Sequence, residues 1–174
     1  GTYWTAVLLL ELGQHERAER LARGLVADAD SRSYGHYRLL AAALRRQNKV
    51  QEQLAAFDAA VAAFPELDIA HGHRCWYNAL YGRAEGALDS CDRAVEMTTA
   101  ENAGKAHLWR SAARYLSGDR DGAVQDLEAA RTAWSAGAIG TRDYERTAAR
   151  WLEALQAGQD ILDERELERL RRWF

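Results

Sequence analysis

The residues best able to do chemistry lie in a short segment that carries His71, His73 and Cys75. On a helix, His71 and Cys75 share one face because they are four residues apart. Imidazole and thiolate groups are ligands that zinc prefers, and Cys91 offers a second thiol further along the chain. A closed zinc site needs a fourth ligand, and the two cysteines lack the CxxC spacing of zinc and redox motifs. We therefore expect no metal at these residues.

Signatures of common enzymes are absent from the sequence. A hydrolytic triad would need a histidine beside a nucleophile and an orienting carboxylate, yet no GxSxG motif is present. The phosphate-binding GxxxxGK[ST] and zinc-binding HExxH motifs are also missing. No nucleophile, base and orienting group can be proposed together, so we expect a protein that is not an enzyme, with no catalytic residues and no cofactor.

Composition then limits the elements that could position these side chains. The 174 residues are 48% hydrophobic and 28% charged, with one proline and abundant alanine, which favours an all-α fold. The net charge of -3 gives no sign of the basic surface that binds nucleic acid. No apolar run approaches the roughly 20 residues that a bilayer requires. Two cysteines are too few for a disulfide framework, so we expect a reducing compartment and a cytoplasmic protein. The missing initial methionine indicates a processed chain or a piece of a longer one.

Turn-forming residues recur along the chain at intervals of 34 to 36 residues, at Gly13, Asn48, Gly82 and Gly118. After each turn, residues that are apolar or small, with Gln53 as the exception, follow with the spacing of one helix face. This stripe consists of Ala18, Ala22 and Leu25, then Gln53, Phe57 and Ala60, then Ala87, Cys91 and Ala94, then Ala123, Leu127 and Ala130. Each unit is thus predicted to be a helix, a tight turn and a second helix that packs closely against its neighbour.

This pattern resembles the tetratricopeptide repeat (TPR) family, whose 34-residue motif is W-x2-L-G-x2-Y, then A-x3-F, then a closing proline. The second unit carries the motif most fully, in Tyr37, Leu40, Ala41, Leu44, Gln53, Phe57, Ala60 and Pro65. Residues 81–95 and 117–130 are also similar to family sequences. The resemblance implies an α-solenoid, a right-handed superhelix of stacked antiparallel helix pairs. It also implies core packing for His71, His107 and both cysteines, the last as buried free thiols.

Five helix pairs account for the length of the chain. Four TPR-like pairs are predicted over residues 1–135, at about 1–31, 34–66, 68–100 and 103–135. A fifth, irregular pair is predicted over residues 141–174. Its last helix would carry Leu167, Leu170 and Phe174 on one face and act as the polar cap that a solenoid needs.

In the TPR family the first helix of each pair lines a concave groove that holds peptides or partner helices. Mapped onto this chain, the resemblance gives Arg38, Arg45, Arg46, Trp76, Leu80, Leu108 and Tyr115 as candidate partner-binding residues. Arginine forks suit carboxylates, so the expected partner is a protein or peptide with an acidic group beside an apolar anchor. The alternative is that the arginines form a solvated helix face and that Trp76 packs against its neighbours. The lysine and asparagine clamp of chaperone-binding members is not matched, since Val7 and Ala42 occupy two of its positions.

The N-terminal segment from Tyr3 to Leu10 is apolar on every side. Such a helix packs beneath its own neighbours, or it meets a preceding repeat, another chain or a second copy. Trp4, Val7, Leu8 and Leu10 are therefore candidates for a self-association or missing-repeat interface, and a homodimer could form through this helix.

The leading hypothesis is a non-catalytic TPR scaffold or adaptor that binds a protein or peptide in its groove, with neither nucleic acid nor membrane as a partner. Two alternatives stay open. One is a regulatory or sensing domain cut from a larger signalling or transcription-regulatory protein, and the other is a self-associating structural protein.

Overall fold

The computed structural model describes residues 1–173 of the chain. Within these residues it contains ten α-helices and no β-strand, which confirms the predicted all-α class. No helix of this part of the chain combines the length and the apolar character needed to cross a membrane. The helices group into two compact units, residues 1–65 and 66–173.

The first unit contains four helices, α1 (Thr2–Glu11), α2 (His15–Ala27), α3 (Tyr34–Arg46) and α4 (Val50–Ala63). Each helix packs against the next one along the chain, and α1 also contacts α3. Leu40, Leu44, Leu54 and Phe57 are buried between the helices, with Ala18 and Ala22 allowing close approach. Two successive helical hairpins therefore share one core.

The second unit contains six helices, namely α5 (Asp68–Leu80), α6 (Ala84–Met97), α7 (Ala103–Leu116), α8 (Arg120–Ser135), α9 (Arg142–Gln156) and α10 (Glu164–Arg171). The helices pair as α5 with α6 and α7 with α8, and α9 packs against α8. In addition α5 contacts α7, α7 contacts α9, and the final helix α10 returns to α5. The helices α5, α7 and α9 thus lie side by side, and α10 packs against the first of them.

The four predicted turns join the two helices of each hairpin. Gly13, Asn48, Gly82 and Gly118 all have positive φ angles, from 57° to 87°. This left-handed conformation ends a helix and favours glycine, or asparagine among residues with a side chain. The periodic punctuation of the sequence is therefore confirmed as a set of helix-ending turns.

The stripe predicted on the second helix of each pair faces the interior. Its residues in α4, α6 and α8 are all buried, and in α2 only Leu25 is half-exposed. Several of the buried positions are alanines, whose small side chains let paired helices approach closely. The division of these helices into repeats with the bounds given above stays a prediction.

Candidate functional site

Cys75 and Cys91 form a disulfide bond between α5 and α6, with sulfur atoms 2.12 Å and Cα atoms 4.9 Å apart. Both residues are fully buried, and neither cysteine is free. The prediction of two buried free thiols is therefore wrong. The hairpin brings two small residues of facing helices into contact, which a separation of 16 residues in sequence does not reveal. Because disulfides are typical of oxidising compartments, cytoplasmic location stays an expectation without support from cysteine usage.

The histidines near this disulfide are packed in the core. His71 and His73 are both buried, and the ring centroids of His73 and Trp109 are 5.2 Å apart. The disulfide removes both thiolates that a metal would have used. Among residues 1–173 no group of histidine, cysteine and acidic side chains is arranged to hold a metal ion.

The candidate partner-binding residues of the second unit lie on α5 and α7. Trp76, Leu80 and Leu108 are at most 1% exposed, whereas Tyr115 is half-buried. Trp76, Leu80 and Tyr115 contact the segment that follows α9, which we call the tail (residues 157–173). Together with Tyr77 of α5 and Tyr144 of α9 they form the docking face. The tail, which includes the helix predicted as a terminal cap, thus contacts these residues, while Phe174 lies outside the described residues.

Trp173 is the aromatic anchor of the tail. Its indole stacks on the ring of Trp76, with centroids 5.7 Å apart and planes inclined by 17°. Tyr144 meets the same indole edge-on at 5.0 Å. The hydroxyl of Tyr77 donates a hydrogen bond of 2.6 Å to the backbone carbonyl of Trp173. Offset and edge-on aromatic pairs are favourable beyond the area they bury, so this contact both covers Trp76 and fixes the end of the tail.

Arg171 is the cationic anchor of the tail. Its guanidinium donates two hydrogen bonds, of 3.0 and 2.8 Å, to the carbonyl oxygen of Leu80. Leu80 is the last residue of α5, where unpaired carbonyls and the helix dipole attract a cation. The guanidinium also lies 5.1 Å from the ring centre of Tyr81 and forms an ion pair with Glu164 of its own helix. The Arg171 side chain thereby donates hydrogen bonds to the Leu80 carbonyl, which has no partner within α5 because it lies at the helix end.

The beginning of the tail is held at Tyr115. The Tyr115 hydroxyl donates a hydrogen bond of 2.8 Å to Asp160, and the backbone N–H of Ile161 lies 3.4 Å from the same hydroxyl. Burial, followed by the hydrogen bond to Asp160, raises the pKa of Tyr115 above its usual value. Arg120 forms an ion pair with Asp160 and also hydrogen bonds to the carbonyl of Gln159.

Glu166 joins α10 to α9. Its carboxylate accepts a hydrogen bond of 3.2 Å from the indole N–H of Trp151 and pairs with Arg150 and Arg169. Burial acts to raise the pKa of Glu166, but the hydrogen bond and charge of Arg169 and the charge of Arg150 outweigh it, so the pKa lies below its usual value. Glu166 is therefore ionised at neutral pH, and its contacts link the tail to α9.

A second polar cluster lies between α7 and α8, around the buried carboxylate of Asp126. It accepts hydrogen bonds from Arg110 at 2.7 and 2.9 Å and lies 2.8 Å from His107 Nδ1 and 3.1 Å from Arg114. Arg110 also pairs with Asp92 of α6. Burial alone would raise the pKa of Asp126, yet His107 and the arginines lower it overall. His107, predicted to pack in the core, is half-buried and bonded to this carboxylate.

The remaining candidate residues belong to the first unit. Arg38 and Arg46 of α3 are exposed, while Arg45 is half-buried. On α1, Trp4 and Leu8 are 67% and 63% exposed, and Leu12 just beyond the helix is 71% exposed. The two other members of the predicted interface differ from these, because Val7 is half-buried and Leu10 is buried within the unit.

Sequence reasoning missed the two anchors of the tail and the acidic centre at Asp126. Part of the signal for the Asp126 cluster was present, because His107, Arg110 and Arg114 share one face of α7 and basic residues buried at a helix contact are paired with a carboxylate. Arg171 and Trp173 gave no comparable signal. Leu80 lies 91 residues before Arg171, and Tyr77 lies 96 residues before Trp173.

Comparison with known proteins supports the fold. No protein-family model and no curated protein sequence matches the chain. Among solved structures, TTC0263, a thermophilic TPR protein of Thermus thermophilus, is 23% identical, with a TM-score of 0.66 over 87% of this chain and 80% of that one. The MamA RS-1 ArsTM double mutant is 13% identical, with a TM-score of 0.69 over 97% of this chain and 88% of that one. The chain therefore has the helical-hairpin fold of TPR proteins.

Proposed function

We propose that the chain is a non-catalytic interaction module that binds a short helical or extended segment of a partner protein on its docking face. The observation that carries this proposal is the tail itself. The tail, which contains the eight-residue helix α10, is held there by an aromatic stack, a cation at a helix end and side-chain hydrogen bonds. Aromatic residues and arginines carry much of the binding energy at protein interfaces, and a helix bound in a groove is a recurring mode of peptide recognition.

The first unit supports a second element of recognition. Arg38 and Arg46 are exposed on α3, and guanidinium groups bind carboxylates in a planar, two-pronged arrangement. We assign the acidic group of a partner to these arginines. Reversing both charges in R38E/R46E should weaken binding of acidic partners and leave that of neutral ones unchanged.

Selection of peptides on the whole protein tests the proposal. Peptides from a random displayed library are selected on the full chain, and their contact sites are mapped by amide hydrogen exchange. We expect protection on α5, α7 and α9, and weaker binding to Y115A, because Tyr115 is the half-exposed member of the docking face. V124A, at a half-exposed position of α8, is the matched control. Protection confined to α6 and α8, or no selected peptide at all, would contradict the proposal.

A second candidate function is self-association through α1. Trp4, Leu8 and Leu12 expose apolar side chains along one side, and α1 carries no charge before Glu11 that would oppose the approach of a second copy. Light scattering should then show a mass that rises with concentration from 19.5 kDa toward twice that value. W4E/L8E should abolish the rise, and R17E/R20E on α2 should not. A constant mass of the native chain would refute this candidate.

A further inference from the structure

We infer that the docking face binds the end of a helix that carries an arginine followed two residues later by an aromatic residue. The tail presents the same two residues and therefore competes with such a ligand for the docking face. This inference rests on the proposed function for the location of the site. It goes further by naming the ligand and by making its access depend on release of the tail.

The polar features of the docking face select the arginine. The carbonyl of Leu80 lies at the carboxyl end of α5, where a helix presents partial negative charge. A guanidinium can donate two hydrogen bonds to one such carbonyl and lie over a neighbouring ring, as Arg171 does with Leu80 and Tyr81. A lysine offers a compact charge without this planar fork, so we expect it to bind less well.

The aromatic features select the second anchor. Trp76 presents a ring face, Tyr144 a ring edge and Tyr77 a hydroxyl that donates to a backbone carbonyl. An indole two residues after the arginine meets all three groups at once. Among residues 1–173, moreover, no acceptor bonds to the buried indole N–H of Trp76, so the described tail leaves this donor unsatisfied.

The tail has the composition of a segment that can leave. Most residues of α10 are charged, and only Leu170 within it is buried. A helix of this length is marginal when isolated in water, so α10 depends on its contacts with the docking face and α9. Residues 157–163, which join it to α9, are exposed except for Leu162 and Ile161. A tether of this length gives the tail an effective concentration at the docking face on the order of millimolar. A partner must compete with the tail at that concentration.

The experiment uses the full chain and a fluorescently labelled peptide of residues 159–174. R171A/W173A weakens the protein's own tail and leaves the docking face intact. We expect the peptide to bind this variant about tenfold or more tightly than the native chain, since the competitor has lost both anchors. R165A/E168A, which changes two exposed tail residues, should bind the peptide as the native chain does. A peptide that itself carries Arg171→Ala and Trp173→Ala should bind none of the proteins.

Several results would overturn the inference. One is equal affinity of the peptide for the native and R171A/W173A chains, and another is no binding to either while both are folded by circular dichroism. If the double variant does not fold, R171Q alone serves, because it retains the aromatic stack and removes the guanidinium. Library peptides that protect α5, α7 and α9 while the tail peptide does not bind would refute this inference and leave the proposed function standing.

Discussion

Gly72 of α5 lies directly against the indole of Trp109 on α7. A Cβ atom at Gly72 would be only 2.4 Å from the ring, closer than real side chains approach. The contact joins α5 and α7, which are neighbours in the second unit. A large ring on one helix therefore fits where the other helix has no side chain, and this fit sets how closely α5 and α7 approach.

Substitution of Gly72 by alanine should destabilise the protein by about 1–3 kcal/mol, because the rigid ring of Trp109 must move. Gly86 on α6 provides the matched control, since nothing lies within 4 Å of the corresponding Cβ position. G86A should be neutral or stabilising by up to about 1 kcal/mol, because alanine favours helix. Urea unfolding of both variants measures the difference. Equal stability of G72A and the native chain would contradict the close packing.

The contacts of Glu19 in the first unit predict that the stability of the protein falls in acid. Its carboxylate accepts hydrogen bonds from Lys49 at 2.8 Å and Gln47 at 2.7 Å and pairs with Arg23. Burial opposes ionisation, but these partners together lower the pKa of Glu19 from 4.5 to about 2. The ionised form therefore stabilises the fold above pH 4.5, and the stabilisation is lost as the pH falls from 4.5 toward 2.

The difference in unfolding free energy between the native chain and E19Q should reach no more than about 3 kcal/mol above pH 4.5 and shrink toward pH 2. Added salt should reduce it, because Lys49 and Arg23 are partly exposed. E16Q, at an exposed position of the same helix, is the control. A difference that does not change between about pH 6 and pH 2 would show that Glu19 is not the group responsible.

Asp126 predicts a large cost for a conservative change. Replacing it by asparagine removes the charge that balances Arg110, Arg114 and His107 at a site where Asp126 is 2% exposed. Removing one partner of a buried ion pair costs about 3–5 kcal/mol. D126N should therefore unfold at much lower urea than E128Q, which changes an exposed residue of the same helix. Similar midpoints for the two variants would refute a structural role for the cluster.

The disulfide predicts a redox-dependent stability. In denaturant, the protein of native sequence should show no reactive thiol before reduction and two reactive thiols afterwards. Closing a loop of about 15 residues contributes about 3 kcal/mol in the chain-entropy model, so reduction should lower the unfolding free energy by a similar amount. C75A/C91A should not respond to reductant. Two titratable thiols in unreduced protein would refute the bond.

The hairpins were predictable because their information is local. Turn residues at a fixed interval end helices by their own backbone preferences, and the stripe on α2, α4, α6 and α8 follows from helix geometry. The docking face was predictable only in part. Trp76, Leu80 and Tyr115 could be named by resemblance to the TPR family, but their contact with Arg171 and Trp173 depends on how far the chain folds back. The Cys75–Cys91 pairing likewise required the packing of α5 on α6.

The disulfide affects the thermodynamics of replacing the tail by a partner segment on the docking face. Cys75 immediately precedes Trp76, so the backbone beneath the aromatic stack is covalently joined to α6. A site held in this way is preorganised and loses little conformational entropy when a ligand arrives. The entropic cost of association then falls on the incoming helix and is offset by the freedom that the released tail regains. Because one buried apolar surface replaces another, such an exchange should proceed with a heat-capacity change near zero.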